Sequence, residues 1–217
     1  MTPVDRRRQA RRLTALLTRE RELWASGVER VAGVDEVGVG PLAGPVVAAA
    51  VIFPPGLGLR GVDDSKTLTA EQRTELAVAI RDKAIAVAVA VVDHDEIDRV
   101  NIFRAALAAM ARALDALAVQ PQHVLVDARR IPGCDLPQEA IIKGDSLCHA
   151  IAAASIIAKT ARDALMHRYD EQFPGYGFAE HKGYSTDGHR DAIRKLGPCA
   201  IHRRSFTLLP PPKLWEI

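Results

Sequence analysis

Two rhythms of apolar residues run through the chain. Across the basic segment 5–25, Leu13, Leu16, Leu17, Leu23 and Trp24 recur at helical spacing, which predicts one amphipathic helix closed by Gly27. "VERVAGVDEV" and "PVVAAAVIF" are instead short, nearly continuous runs of small and branched residues, the pattern of strands covered on both faces, and the glycine turn between them predicts a hairpin. "AIAVAVAVV" predicts a third buried strand. Before it lie a proline- and glycine-rich loop, "PPGLGLRGVDDSK", and a helix opening at Thr69, with Gln72 at capping-box spacing.

Farther along, Ile97, Val100, Phe103, Leu107, Met110 and Leu114 fall at three- and four-residue steps and predict a single long helix over "DEIDRVNIFRAALAAMARALDALA". "HVLVDA" and "EAIIKGD" read as two more strands, joined through "RRIPG". The alanine-rich "SLCHAIAAASIIAKTARDALMHRYDEQF" predicts a helix whose small face allows close packing. After it, "GYGFAEHKGYSTDGHRDAIRKLGPCAIHRRSF" carries one helix between two glycine-marked loops. With no internal repeat and no linker, the pattern describes one α/β domain with a helical C-terminal extension, which suits 217 residues.

Composition narrows the function classes. Hydrophobic residues at 48% and charged residues at 26% are globular values and exclude a disordered chain. A net charge of only +2 does not by itself mark a nucleic-acid binder, and distribution matters more: basic runs sit at the two ends, "RRRQARR" near the start, read as a solvated helix face, and "HRRSF" near the close. Cys134, Cys148 and Cys199 are odd in number and lack C-x-x-C spacing, so a reduced, cytoplasmic protein is expected. No apolar run reaches the roughly 20 residues of a membrane span. With no apolar heptad, a monomer is expected.

The acidic residues change the picture most. Asp35 and Glu36 directly precede a loop with glycines at 38, 40 and 44, Asp127 closes a buried strand, and Asp145 precedes the alanine-rich helix. Neighbouring strand residues point to opposite faces, so Asp35 and Glu36 share a site only if the strand ends or bulges there. Ligands gather at strand ends in α/β sheets, and converging carboxylates repel unless cations lie between them. Hard oxygen donors suit Mg²⁺ or Mn²⁺, and two such ions support in-line displacement at phosphorus. Taken singly, Asp145 is equally a helix N-cap and Asp127 a turn residue, and periodicity does not bring them together. "DHDEID" lacks the EF-hand glycine and terminal glutamate and reads as a solvated helix start. The glycine loop lacks the Walker lysine, and Pro41 removes an amide that a phosphate nest needs. Zinc spacings and a G-x-S-x-G elbow are absent.

Six blocks in order, "GVDEVGVGPLAGPVVAAAVIF", "DDSKTLT", "EIDRVNI", "LVDA", "IIKGDSLCHAIAAASIIAKTARD" and the C-terminal "GYGFAEHKGYSTDGHRDAIRKLGPCAIHRRSF", resemble bacterial ribonuclease HII, the type 2 ribonuclease H, from about residue 20 to 207. The resemblance implies a ribonuclease H-like fold with a five-stranded mixed sheet flanked by helices. It divides the chain into a basic N-terminal helix (1–28), a catalytic domain (29–207) and a tail (208–217). It implies metal-dependent cutting of the RNA strand of RNA:DNA hybrids and of single ribonucleotides embedded in duplex DNA, leaving 5′-phosphate and 3′-hydroxyl ends, as ribonucleotide removal and primer processing require. It assigns two divalent ions, Mn²⁺ or Mg²⁺, to Asp35, Glu36, Asp127 and Asp145, the four acids the strand-end argument selects. Gly38, Val39 and Gly40 are assigned to the ribose 2′-hydroxyl, Tyr184 to stacking on the next sugar, and Lys66 to phosphate.

Three positions depart from the family pattern. Val39 stands where the family usually has arginine, Ser185 where it has glycine, and "GDSLCHA" lacks a basic residue after the aspartate. Each departure subtracts phosphate affinity rather than chemistry. A non-catalytic hybrid-binding protein is the rival reading, opposed by the presence of all four acids. An actin-like ATPase would need a second similar half, and a type 3 enzyme would need a larger N-terminal domain.

Overall fold

The computed structural model describes residues 3–209, so most of the 208–217 tail lies outside the described residues. Strands β1 (Val31–Val37), β2 (Val46–Ile52), β3 (Ala86–Val92), β4 (His123–Asp127) and β5 (Gln138–Ile141) form one sheet in the order β3-β2-β1-β4-β5. β1, β2 and β3 pair antiparallel, while β4 runs parallel to β1 and β5 parallel to β4, so the sheet is mixed, as expected.

Period-two geometry explains why β2 is apolar throughout. Val46, Ala48, Ala50 and Ile52 face α5 (Ile102–Asp115), while Val47, Ala49 and Val51 face α6 (His149–Gln172) and α3 (Ala70–Lys83), and every one is fully buried. Helix α3 opens with the expected capping box, Thr69 accepting from the Gln72 amide and Gln72 from that of Thr69. Where α6 crosses β1 its backbone touches the strand: a Cβ built on Gly33 would lie 2.1 Å from the Ala150 carbonyl carbon.

Three expectations need correction. β3 is an edge strand rather than a fully buried one: Val92 is buried, but Val91 is 47% exposed because only β2 flanks the strand. The single long helix is two, α4 (His94–Val100) and α5, because Asn101 takes a left-handed φ of 72°. Its amide closes α4 on Ile97, and its side chain caps α5 by accepting from the Arg104 amide at 3.1 Å. That break leaves Phe103 half exposed, beneath the Arg129 guanidinium, instead of on a buried stripe. The N-terminal helix also divides, into α1 (Pro3–Leu16) and α2 (Thr18–Ala25), a bend at Leu17 that lets Leu16, Leu17 and Leu23 all be buried.

α2 has a further consequence. The start of α6 has no side-chain cap of its own, and the buried Glu20 carboxylate supplies one by accepting from the Ala150 amide at 2.8 Å. After α6, two short helices, α7 (Phe178–His181) and α8 (Asp187–Leu196), form the C-terminal extension. Phe178, Ile193 and Ile201 pack there against Leu42 and Ala43, so the extension closes over the second half of the glycine loop.

Candidate active site

β1 carries Asp35 on the face of Gly33, toward α6, and Glu36 on the face of Ala32 and Val34, toward α5. The expected bulge is absent, since pairing with β2 stays regular through Val37↔Val47. The side chains meet for another reason: pairing with β4 stops at Val34↔Val126, and both acids lie at that open end. The Asp35 carboxylate folds forward and accepts from the Glu36 amide at 2.8 Å. Asp127, the last residue of β4, completes a cluster in which one carboxylate oxygen from each of the three acids lies within 4.8 Å of the others.

Asp145 stands beside this cluster without joining it. It lies in a 3₁₀ turn, Gly144–Ser146, and does not cap α6, whose N-cap is Cys148. The turn is fixed to the site by the Gly144 amide, which donates to Asp127 at 2.7 Å, and Asp145 itself accepts from Lys66 Nζ at 2.8 Å. Lys66 is otherwise mostly exposed, so the "DDSK" loop reaches the acids through one flexible cation.

Burial makes the cluster electrostatically expensive. Desolvation, then the Glu36 charge, push Asp35 well above the usual carboxylate range. Desolvation and Asp127 push Glu36 up to about 7, and desolvation also raises Asp127. Glu36 Oε2 is buried without a hydrogen-bond partner. A folded protein leaves such an oxygen unpaired at a cost of about 1–3 kcal/mol, which a bound cation removes. Three close, partly dehydrated carboxylates with an orphaned oxygen therefore fit a hard divalent ion.

The acids open into a cleft of about 320 Å³ that Gly38, Val39, Gly40, Lys66 and Tyr184 also line. Every residue singled out from the sequence reaches this cleft or, for Asp145, borders it through Lys66. Tyr184 is 42% exposed, and a Cβ on Gly40 would come 3.8 Å from its ring. Val39 packs against the α5-side core while lining the cleft, and it brings no charged side chain there.

Several participants escape sequence reading. Ser155 of α6 lines the cleft beside Asp35, whose charged form it favours, and lies 2.9 Å from the Ser65 hydroxyl. Lys159 lines the cleft one helical turn later, and i to i+4 spacing in the alanine-rich helix was the available signal. Arg162 and Arg203, both fully buried, donate to backbone carbonyls of the glycine loop. Below Tyr184, the Cys199 amide donates to His202 Nδ1, which leaves His202 Nε2 to donate to His189 Nε2 and His189 Nδ1 to donate to the Tyr184 carbonyl. Burial lowers both imidazoles, His202 to about 4, and keeps this chain neutral.

Comparison with known proteins agrees with this geometry. A family model described as Ribonuclease HII matches residues 32–209. Ribonuclease HII of Myxococcus xanthus is 54% identical over 92% of this chain and 69% of its own length, and that of Moorella thermoacetica is 54% identical over 90% and 95%. Among solved structures, ribonuclease H2 of Pyrococcus horikoshii superposes with a TM-score of 0.69 at 28% identity, over 82% of this chain and 94% of that one. The ribonuclease HII solved with PCNA from Archaeoglobus fulgidus gives 0.70 at 27%, over 87% and 100%. Sheet order, acidic strand ends and sequence similarity over most of the chain coincide, and the chain belongs to the ribonuclease HII family.

Proposed function

We propose that Asp35, Glu36, Asp127 and Asp145 hold the divalent metal of a ribonuclease HII and that the glycine loop and Tyr184 select the ribonucleotide beside it. The enzyme is a metal-dependent endoribonuclease that acts on the RNA strand of RNA:DNA hybrids. Single ribonucleotides in duplex DNA belong to the same substrate class, and the products carry 5′-phosphate and 3′-hydroxyl ends. The observation that carries the site assignment is the cluster of Asp35, Glu36 and Asp127 at the open end of β1 and β4.

Bound Mg²⁺ or Mn²⁺, two ions in this reading, would neutralise the acids and supply Lewis-acid and water-activating chemistry at the phosphorus. The chain's own residues do the rest. The Glu36 amide orients Asp35, and the Gly144 amide orients Asp127. Lys66 neutralises Asp145 and offers its ammonium to a phosphate. The Val39 and Gly40 amides face the ribose, whose 2′-hydroxyl separates RNA from DNA. No described helix is long and apolar enough to cross a membrane, and the three free cysteines support a reducing, cytoplasmic setting.

The direct test is cleavage of a labelled DNA duplex with one ribonucleotide, in Mn²⁺, Mg²⁺ or EDTA, beside an all-DNA duplex and a long hybrid. Metal-dependent cutting on the 5′ side of the ribonucleotide is expected. No cutting of either RNA-containing substrate by folded, metal-loaded protein would overturn the reading in favour of a hybrid-binding protein.

Metal binding should release protons. Glu36 near 7 is partly protonated at neutral pH, and Asp35 and Asp127 are shifted the same way, so the proton and the metal compete for the same oxygens. Calorimetric titration of Mn²⁺ in buffers of different ionisation enthalpy should show more proton release at pH 6.5 than at 8.5. The apparent affinity should rise with pH through the range around 7 in which Glu36 gives up its proton. An affinity independent of pH between 6 and 8.5 would mean that Glu36 is not a ligand.

A further inference from the structure

Arg162 and Arg203 are fully buried, yet neither has a carboxylate within ion-pair distance among the described residues. A buried guanidinium without a counter-ion is costly and calls for a structural account. Between them the two side chains make six hydrogen bonds of 2.6–3.2 Å, all to backbone carbonyls. Arg203 donates to Gly38, Val39 and Gly44, and Arg162 to Ala43, Pro45 and, from the C-terminal extension, Lys182.

Five of those carbonyls belong to the eight-residue loop 38–45, so most of the loop's acceptors are drawn into the protein. A peptide plane whose carbonyl points inward turns its N–H the other way. The Val39 and Gly40 amides have no acceptor among the described residues, and both residues line the cleft. Gly38 is required by this packing: its φ is +94°, and a Cβ there would lie 2.3 Å from Arg162 Nε. The Arg162 guanidinium also lies 5.9 Å from the centre of the Tyr184 ring, so one cation underlies both the loop and the tyrosine. Burial lowers Arg203 only to about 9, and it stays protonated at neutral pH.

We propose that Arg162 and Arg203 are positioning residues for ribonucleotide selection: Arg203 fixes the Val39 and Gly40 amides toward the cleft through the Gly38 and Val39 carbonyls, and Arg162 anchors the other end of the loop through Ala43 and Pro45. The proposal rests on the reading that this loop faces the ribose. The three carbonyl bonds of each arginine need a planar fork of donors, so lysine keeps the charge and loses the geometry.

Arg162→Lys and Arg203→Lys are therefore the test, with Gly40→Ala as a direct probe of the loop, since a methyl there makes only an ordinary van der Waals contact, 3.8 Å from the Tyr184 ring. In Mn²⁺, the KM for a single-ribonucleotide duplex is compared with the Ki of an all-DNA duplex used as competitor. The ratio of Ki to KM should fall about tenfold in each lysine variant and in Gly40→Ala, through a higher KM, with Ki within about twofold of wild type. Wild-type ratios in the lysine variants, with a lowered ratio in Gly40→Ala, would overturn the clamp and leave the loop reading intact. A wild-type ratio in Gly40→Ala would instead overturn the loop reading. If a lysine variant melts below the assay temperature, the clamp is read in wild-type protein from the guanidinium Nε–H signals by nitrogen-15 NMR. Both should exchange slowly and shift with the single-ribonucleotide duplex but not with all-DNA duplex, and unshifted signals would overturn the proposal.

Discussion

Asp35→Asn should abolish cleavage while making the metal-free protein more stable. The amide is isosteric, its oxygen still accepts from the Glu36 amide, and Ser155 remains within reach, so the strand end has no reason to rearrange. What changes is charge. One anionic donor is lost from a three-acid cluster, and metal chemistry worth several kcal/mol loses its support, so a fall of about a thousandfold or more in kcat/KM is expected, about 4 kcal/mol. At the same time the desolvation and the repulsion from Glu36 that raise Asp35 are removed. These act against folding when pH exceeds the unfolded carboxylate range, because the native state holds a proton that the unfolded chain gives up. The melting temperature without metal should therefore rise relative to wild type at pH 8, and the difference should shrink as the pH falls toward and below the unfolded aspartate pKa of about 4, where the unfolded chain also takes up the proton. Cleavage within tenfold of wild type, still metal-dependent, would sink the assignment of Asp35 as a ligand.

Gly33→Ala should be the most damaging single-methyl change in the sheet. Its Cβ would lie 2.1 Å from the Ala150 carbonyl carbon and 2.4 Å from the Ile151 nitrogen, and neither is a side chain that can rotate away. Helix α6 would have to lift from β1. Overpacking in cores costs about 1–3 kcal/mol, and a backbone collision belongs at or above the top of that range. For a chain of this size that is a fall of about 6–12 °C in melting temperature. Because α6 carries Ser155 and follows the turn that bears Asp145, the lift also separates Asp145 from Asp127, and activity should fall further than stability alone explains. A variant that melts within 1 °C of wild type with full activity would show that β1 and α6 do not approach this closely in solution.

Much of this could be read in the residues. The apolar runs of β1 and β2 and the capping box at Thr69 are local, and local chemistry decides them. The four acids were legible because each stands at or near the end of an apolar run, where a carboxylate interrupts the pattern of a packed strand or helix. The break at Asn101 was hidden by a helical apolar pattern running straight through it, and only the left-handed φ of one residue separates α4 from α5. The edge position of β3 was equally hidden, since alternating valines and alanines look alike beside one neighbour or two.

By itself the sequence determined the element types, the family and the identity of the acids, all properties of short stretches in order. The tertiary structure alone decided how Asp35 and Glu36 share a site without a bulge, because that depends on where the parallel neighbour β4 stops. It alone separated Asp145, paired with Lys66, from the three clustered acids. It also turned two arginines, 41 residues apart and ordinary in the sequence, into the buried support of one loop, because hydrogen bonds to backbone carbonyls leave no trace in the identities of the residues that accept them.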